Sequence, residues 1–290
     1  MTDQASKLRV LANNALIGPA KKPAGGPRII AVTSGKGGVG KTNFVVNLAL
    51  ALANMKQRVV ILDADFGLAN VEVLLGINPP GTLYELLYKG KTIEDIIVEG
   101  PGKVRFISGG SGLHELANLD DKQRQHLVNS LSYFQNCTDF VLIDTGAGIS
   151  KNVLAFTAAA DEVIVIFTPE PTSLTDGYGI IKVMSKFNVH REVGLIVNMA
   201  ANEREACQTV GKINTVANKF LQIKINHLGS ICADYTVVQA VKNQKPFILA
   251  EPHSAASKSI LKIASNLING PRQPVKGMGG FIGKLLKLFG

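Results

Sequence analysis

The stretch Ala31–Thr42, AVTSGKGGVGKT, decides how the rest of the chain is read. An apolar segment leads into a glycine-rich turn, and Lys41-Thr42 then opens the helical pattern of Asn43–Asn54. Strand, glycine-rich turn and Lys-Thr at a helix start form the setting of a loop that wraps phosphate. Gly35, Gly37, Gly38 and Gly40 allow positive φ and close backbone approach to phosphate oxygens. The backbone N–H groups of the loop, Val39 included, and the helix N-terminus supply positive potential. Lys41 reaches the β- and γ-phosphates and the Thr42 hydroxyl ligates Mg²⁺. Gly35–Gly40 also fits the dinucleotide pattern GxGxxG, with Asp63 ending the second strand as its ribose acid. Lys41-Thr42 has no role in that reading and completes the other, so a nucleoside triphosphate is the expected ligand.

Outward from this loop, short apolar runs alternate with longer helical stretches. Ile29–Thr33, Val59–Leu62, Val104–Ile107, Phe140–Ile143, Val163–Phe167, Val193–Val197 and Leu228–Ile231 read as buried strands. Asn43–Asn54, Lys122–Phe134, Thr172–Phe187 and Arg204–Phe220 read as helices between them. The pattern predicts an α/β fold: a doubly wound, mostly parallel sheet with helices on both faces and ligands at the carboxyl ends of the strands. The body spans residues 28–269. Before it lie a short helix over 1–17 and a Gly/Pro-rich linker over 18–27; after it come a linker over 270–280 and a last segment over 281–290.

Three acids fall at strand ends: Asp63 and Asp65 in ILDADFGLAN and Asp144 in VLIDTGAGIS. Together with Lys36 inside the loop, they make the chain resemble the MinD/ParA family of ATPases, whose deviant Walker A motif is KGGxGKT. The resemblance implies that Lys36 crosses a dimer interface to the phosphates of the other subunit's nucleotide. It also implies that Asp65 polarises the attacking water, that Asp63 holds a Mg²⁺-bound water, and that Asp144 contacts Mg²⁺ through water in a mobile second switch. Carboxylates so placed can orient water for in-line attack. Asn198 in LIVNMA matches the family's adenine contact. The family often places Pro-x-Asp after a later strand. This chain has Cys232-Ala233-Asp234 there, and without the proline Asp234 either contacts the nucleotide or caps the next helix.

The two ends carry their own signals. In FIGKLLKLFG, Phe281, Ile282, Leu285, Leu286, Leu288 and Phe289 share one arc at 100° per residue, with Lys284 and Lys287 on the other. This resembles the membrane-targeting tail of MinD-like proteins. So short a helix binds anionic lipid weakly alone, and two copies on an ATP-bound dimer bind far better. The alternative is a tail packed on its own domain, docked in the monomer and released in the dimer. At the other end, Asp3-Gln4-Ala5-Ser6-Lys7-Leu8-Arg9 resembles the activator helix of the flagellar MinD-like ATPases called FlhG, YlxH or FleN, as does PEPTSLTDGYGIIK (Pro169–Lys182). The resemblance implies that Asp3, Gln4, Ala5, Leu8 and Arg9 engage and stimulate FlhF, a GTPase of the signal-recognition-particle type, with Gln4 inserted near its nucleotide. It also implies flagellar basal-body partners.

Composition bounds the alternatives. The net charge of +9 is concentrated at the ends: residues 1–30 carry +4, residues 270–290 carry +4, and the rest carries +1. Basic ends suit acidic surfaces, while a nearly neutral body argues against a DNA-binding partition protein. Three cysteines without a CxxC pair disfavour an iron–sulfur carrier and suit a reducing cytoplasm. No secretory signal pattern is visible, and no apolar run approaches the roughly 20 residues of a membrane span. The reading is a cytoplasmic ATP hydrolase that dimerises on ATP and Mg²⁺, is reversibly peripheral at the inner face of the cell membrane, and controls flagellar number or placement. A division-site ATPase of the MinD type, a ParA-type partition ATPase and a metabolic enzyme on the same fold are the alternatives.

Overall fold

A computed structural model describes residues 26–65, 70–110, 119–271 and 274–289. The first strand, β1 (Arg28–Ser34), is buried along its whole length, as RIIAVTS requires when both faces of a sheet are covered. It is followed by α1 (Lys41–Asn54), β2 (Val59–Ala64), α2 (Asn70–Leu75), α3 (Leu83–Tyr88), α4 (Ile93–Ile96), β3 (Val98–Glu99), β4 (Arg105–Ser108) and α5 (Asp121–Ser132). The second half runs β5 (Phe140–Ala147), α6 (Lys151–Ala159), β6 (Glu162–Phe167), α7 (Pro171–Lys186), β7 (Glu192–Ala200), α8 (Glu203–Phe220), β8 (Lys224–Cys232), α9 (Tyr235–Lys242), α10 (Phe247–Ala250), α11 (Ala255–Asn269) and α12 (Gly277–Phe289).

The strands form one sheet in the order β3-β4-β2-β5-β1-β6-β7-β8. All pairings are parallel except β3 with β4. The seven expected strands are all present. The antiparallel edge strand β3 has no counterpart in the sequence reading, because two residues show no periodicity. β1 lies between β5 and β6, so chain order reverses about it, and the crevice at such a reversal is where an open α/β sheet binds ligand.

Alternation along β1 divides the core. Ile30 and Val32 face α1 and α11, packing with Phe44, Leu48, Ile260 and Ile263. Ile29 and Ala31 face the other way, toward Leu127, Leu131, Phe134 and Phe156 of the α5–α6 layer. Val163, Val165 and Phe167 of β6 continue that second face beneath α7 and α8.

The end of the chain differs from its expected form. The tail helix begins at Gly277, not residue 281, and its apolar face lies on the body. Met278, Phe281, Ile282, Leu285, Leu286 and Phe289 are all buried in the cluster that holds α5 and α6. Met278 extends the i, i+3, i+4 pattern one turn earlier than the sequence reading places it. Three hydrogen bonds hold the helix: Asp161 Oδ1 accepts from Lys276 N–H at 3.0 Å, Gln135 Oε1 accepts from Met278 N–H at 2.8 Å, and Lys151 Nζ donates to the Phe289 carbonyl at 3.4 Å. Lys287 and Leu288 remain exposed, so Leu288 does not share the buried arc. Packing outweighs the poor helix propensity of Gly279, Gly280 and Gly283. The expected helix over 1–17, with Asp3, Gln4, Ala5, Leu8 and Arg9, lies outside the described residues. Among the described residues no helix is long and apolar enough to cross a membrane.

Candidate functional site

The turn from β1 to α1 builds the centre of the site. Gly38 and Gly40 adopt φ of 78° and 87°, which an L side chain resists, and a Cβ on Gly37 or Gly38 would meet nothing within 4 Å. The loop is therefore open on the side where its amides can be approached. Gly35 is needed for another reason. Its φ is not positive, but a Cβ there would lie 2.1 Å from the backbone of Asp176, so α7 packs directly on the loop. Of the four loop glycines, Gly38 and Gly40 thus use the positive φ that the sequence allows.

Lys41 and Thr42 are the first residues of α1, and Lys41 is buried at 8% exposure. Asp63 of β2 and Asp144 of β5 are register partners and so sit side by side at the carboxyl ends of their strands. Asp63 Oδ1 accepts from Asp65 N–H at 3.0 Å. Asp63 Oδ2 and both Asp144 oxygens are buried outside hydrogen-bonding geometry with any partner. Burial, with Asp144 adding to it, pushes the Asp63 carboxyl up to about 8. Burial pushes Asp144 up to about 6, against the pull of the Thr42 hydroxyl and of Lys41. Buried, unpartnered carboxylate oxygens beside a threonine hydroxyl and a lysine fit a hydrated divalent cation with an anionic ligand, since Mg²⁺ keeps several waters. Among the described residues no three His, Cys, Asp or Glu side chains gather to hold a metal by themselves.

Other expected site residues divide. Asn198, at the end of β7, is brought to the loop: its Nδ2 donates to the Val39 carbonyl at 2.8 Å, leaving Oδ1 as its open polar atom. Asp234 acts as the N-cap of α9. Its Oδ1 accepts from Thr236 N–H at 2.9 Å and from the Thr236 hydroxyl at 2.7 Å, and Oδ2 accepts from Ala256 N–H at 3.3 Å. These bonds, the Thr236 hydroxyl first, lower its pKa, and they tie α9 to α11. Lys36 turns back onto its own chain. Its Nζ lies 2.8 Å from Glu170 Oε2 and 3.1 Å from Thr172 Oγ1, at the start of α7. Sequence reasoning misses this partner pair, since nothing local ties the PEPTS stretch to a loop more than a hundred residues earlier. A hollow beside it is lined by Thr168, Pro169, Glu170, Met199, Glu205 and Ala233, at the carboxyl ends of β6, β7 and β8.

Comparison with known proteins agrees with this geometry. A ParA family model described as "NUBPL iron-transfer P-loop NTPase" matches residues 27–268. The antiactivator FleN of Pseudomonas aeruginosa is 38% identical over 244 residues, covering 84% of this chain and 87% of FleN. The flagellum site-determining protein YlxH of Helicobacter pylori is 32% identical over 302 residues, covering 100% of both chains. Among solved structures, the cell division protein MinD of Aquifex aeolicus superposes with a TM-score of 0.68 at 23% identity, over 86% of this chain and 99% of that one. The septum site-determining protein MinD of Pyrococcus horikoshii, complexed with Mg-ADP, gives 0.66 at 26% identity over 84% and 96%. The family description mentions iron transfer; in this chain Cys137, Cys207 and Cys232 are free thiols. The open phosphate loop, the paired strand-end carboxylates and these matches converge: the chain belongs to the MinD/ParA family of P-loop ATPases, in the flagellar branch with FleN and YlxH.

Proposed function

We propose that this protein is an ATP-driven dimerisation switch that binds the membrane and regulates flagellar number or placement. The observation that carries the proposal is the loop itself, where two lysines stand over one site: Lys41 is buried within it and Lys36 is held at its rim by a surface ion pair. Similarity to FleN and YlxH supports the flagellar role, and the Mg-ADP complex of the Pyrococcus relative supports an adenine nucleotide with Mg²⁺.

In this reading the amides of Gly37–Thr42 and the Lys41 ammonium bind the phosphates. Thr42, Asp63 and Asp144 hold Mg²⁺, the last two through water; when bound, the ion neutralises charge on the phosphates. Asp65 orients water for hydrolysis to ADP and phosphate, and Asn198 Oδ1 reads the base. Asp234 is kept as a cap, because its oxygens are already engaged. Lys36 leaves Glu170 to reach the other subunit's nucleotide. An exposed ion pair contributes about 0–1 kcal/mol, so that exchange is easily driven.

The tail completes the switch. Docked, its apolar face is buried on α5 and α6; released in the dimer, two tails bind anionic lipid by avidity. The head carrying Gln4 stimulates an FlhF-type GTPase, and basal-body components are the further partners. Sizing the protein with ATP, with ADP and without nucleotide, each with and without liposomes, tests the proposal. Dimers and lipid binding that appear together in ATP are expected; lipid binding indifferent to nucleotide would overturn it.

A further inference from the structure

The chain's entry into β1 and the start of the tail helix meet at the foot of the sheet, opposite the nucleotide loop. Two side chains of the body touch both. Asp161, just before β6, accepts from Ile29 N–H through Oδ2 at 3.1 Å and from Lys276 N–H through Oδ1 at 3.0 Å. Its own N–H donates to the Ile29 carbonyl at 2.9 Å, so Asp161 closes a ring on the second residue of β1. Gln135, just past α5, accepts from Met278 N–H through Oε1 at 2.8 Å. The rest of its amide lies against Gly26, where any Cβ would overlap it. Gly26 also takes a φ of 107°, a value that side chains rarely allow. Entry and tail therefore share both neighbours.

Helix α12 depends on these two side chains. The first N–H groups of a helix have no partner within it. Residues 270–280 contain no Ser, Thr, Asp or Asn to cap them. The body supplies acceptors instead, and the Asp161 carboxylate sits at the positive end of the helix dipole. Docking thus fixes both oxygens of Asp161 and the amide plane of Gln135. Burial pushes the Asp161 carboxyl up, against the pull of the Lys276 and Ile29 amides. When Lys276 and Met278 leave, water replaces them, the carboxylate turns toward solvent, and Gln135 regains its other rotamers. Ile29 N–H then competes with water for Oδ2, and Gly26 loses its packed neighbour. Arg28 stays paired with Glu162 at 2.8 Å, so the loosening is confined to the chain's entry and β1 keeps its place in the sheet. We infer that Asp161 and Gln135 couple the two ends of the chain: release of the tail loosens the base of the head, and strain on the head loosens the tail. This coupling rests on the docked, releasable tail of the proposed switch, and it gives lipid capture a route to the head. Coupling free energy is reciprocal, so either end can act on the other.

The test is amide hydrogen exchange on the full-length protein without nucleotide, with the β7 amides of Leu195–Val197 as the check that the core is intact. Phe281→Ala with Leu285→Ala strips the docking face and leaves Asp161 and Gln135 in place. Exchange over residues 277–289 should rise, and the Ile29 amide should exchange about fivefold faster, as expected for one lost hydrogen bond. The reciprocal arm perturbs the entry. Gly26→Ala displaces the Gln135 amide and should speed exchange over residues 277–289 about fivefold, although it lies 251 positions from Gly277. Gln135→Ala should do the same, and the double variant should be no faster than either single one, because both act through one side chain. Tail exchange unchanged in Gly26→Ala, additive effects of Gly26→Ala and Gln135→Ala, or an unmoved Ile29 amide beside a freed tail would each overturn the coupling. A tail that exchanges no faster in the Phe281→Ala, Leu285→Ala variant would instead remove the docked tail on which the coupling rests.

Discussion

Replacing Phe156 by alanine should free the tail helix without altering it. The ring of Phe156 is 1% exposed and lies 6.5 Å from Phe281 and 6.1 Å from Phe289, centroid to centroid. Burying the six apolar side chains of α12 stabilises docking by about 9–18 kcal/mol, an upper range because the undocked chain also hides some surface. Three hydrogen bonds add about 1 kcal/mol each. Ordering the helix's 13 residues costs about 13–26 kcal/mol. The two sides nearly cancel, so a small perturbation shifts the balance. Two aromatic contacts at about 0.5–1.5 kcal/mol each would move the undocked fraction roughly five- to 150-fold. The body also loses part of the about 3–5 kcal/mol that a buried phenylalanine contributes, which lowers the melting temperature. The assay pairs hydrogen exchange over residues 277–289 with vesicle co-sedimentation in the absence of nucleotide. Faster exchange and stronger sedimentation are expected. Phe289→Ala should speed exchange as much yet sediment less, because it removes part of the lipid-binding face. Gln135→Ala, which removes the bond to Met278, should act in the same direction by about 1 kcal/mol. Unchanged exchange over 277–289 in both Phe156→Ala and Gln135→Ala would refute the reasoning.

Four further outcomes follow from the site. Lys36→Ala should abolish ATP-dependent dimers on a sizing column while leaving monomer stability within about 1 kcal/mol, since its side chain meets Glu170 and Thr172 at the exposed surface. Asp65→Ala should slow hydrolysis by about a hundredfold or more and prolong the dimer; a normal turnover rate would remove Asp65 from catalysis. Gly35→Ala should displace α7 from the loop and weaken nucleotide binding, seen as a lost thermal shift with ATP, because its Cβ would overlap the Asp176 backbone. In the nucleotide-free protein, Asp63 stays protonated up to about pH 8 when folded but ionises near pH 4 when unfolded. The folded state therefore binds more protons between those values, and stability should fall as pH rises from about 4 to 8. Asp63→Asn should flatten that slope in chemical unfolding and cost Mg²⁺-dependent nucleotide affinity; an unchanged slope would exclude Asp63 as its source.

The expected strand at Ile29–Thr33 and the helix after Lys41 were both legible because their signals are local. A parallel strand covered on both faces must be apolar at every position, and a phosphate loop needs glycines and Lys-Thr within a dozen residues. The doubly wound order followed from alternating strands and crossovers. Asp63 and Asp144 could be picked out at strand ends, but their adjacency comes from β2 pairing with β5, and their raised pKa values from burial.

By itself, the sequence determined the strands, the phosphate loop and the amphipathic pattern of the tail, because each depends on residues within one or two turns of one another. Only the tertiary structure decided what those pieces touch. It put Gly35 under α7, Lys36 on Glu170, the Asp234 carboxylate on the Ala256 amide of α11, and the tail's apolar face on Phe156. It also set Asp161 between Ile29 and Lys276, joining the chain's entry to its tail. These contacts link residues tens to more than a hundred positions apart. Local periodicity says which face of a helix is apolar, but it carries no information on which neighbour covers it.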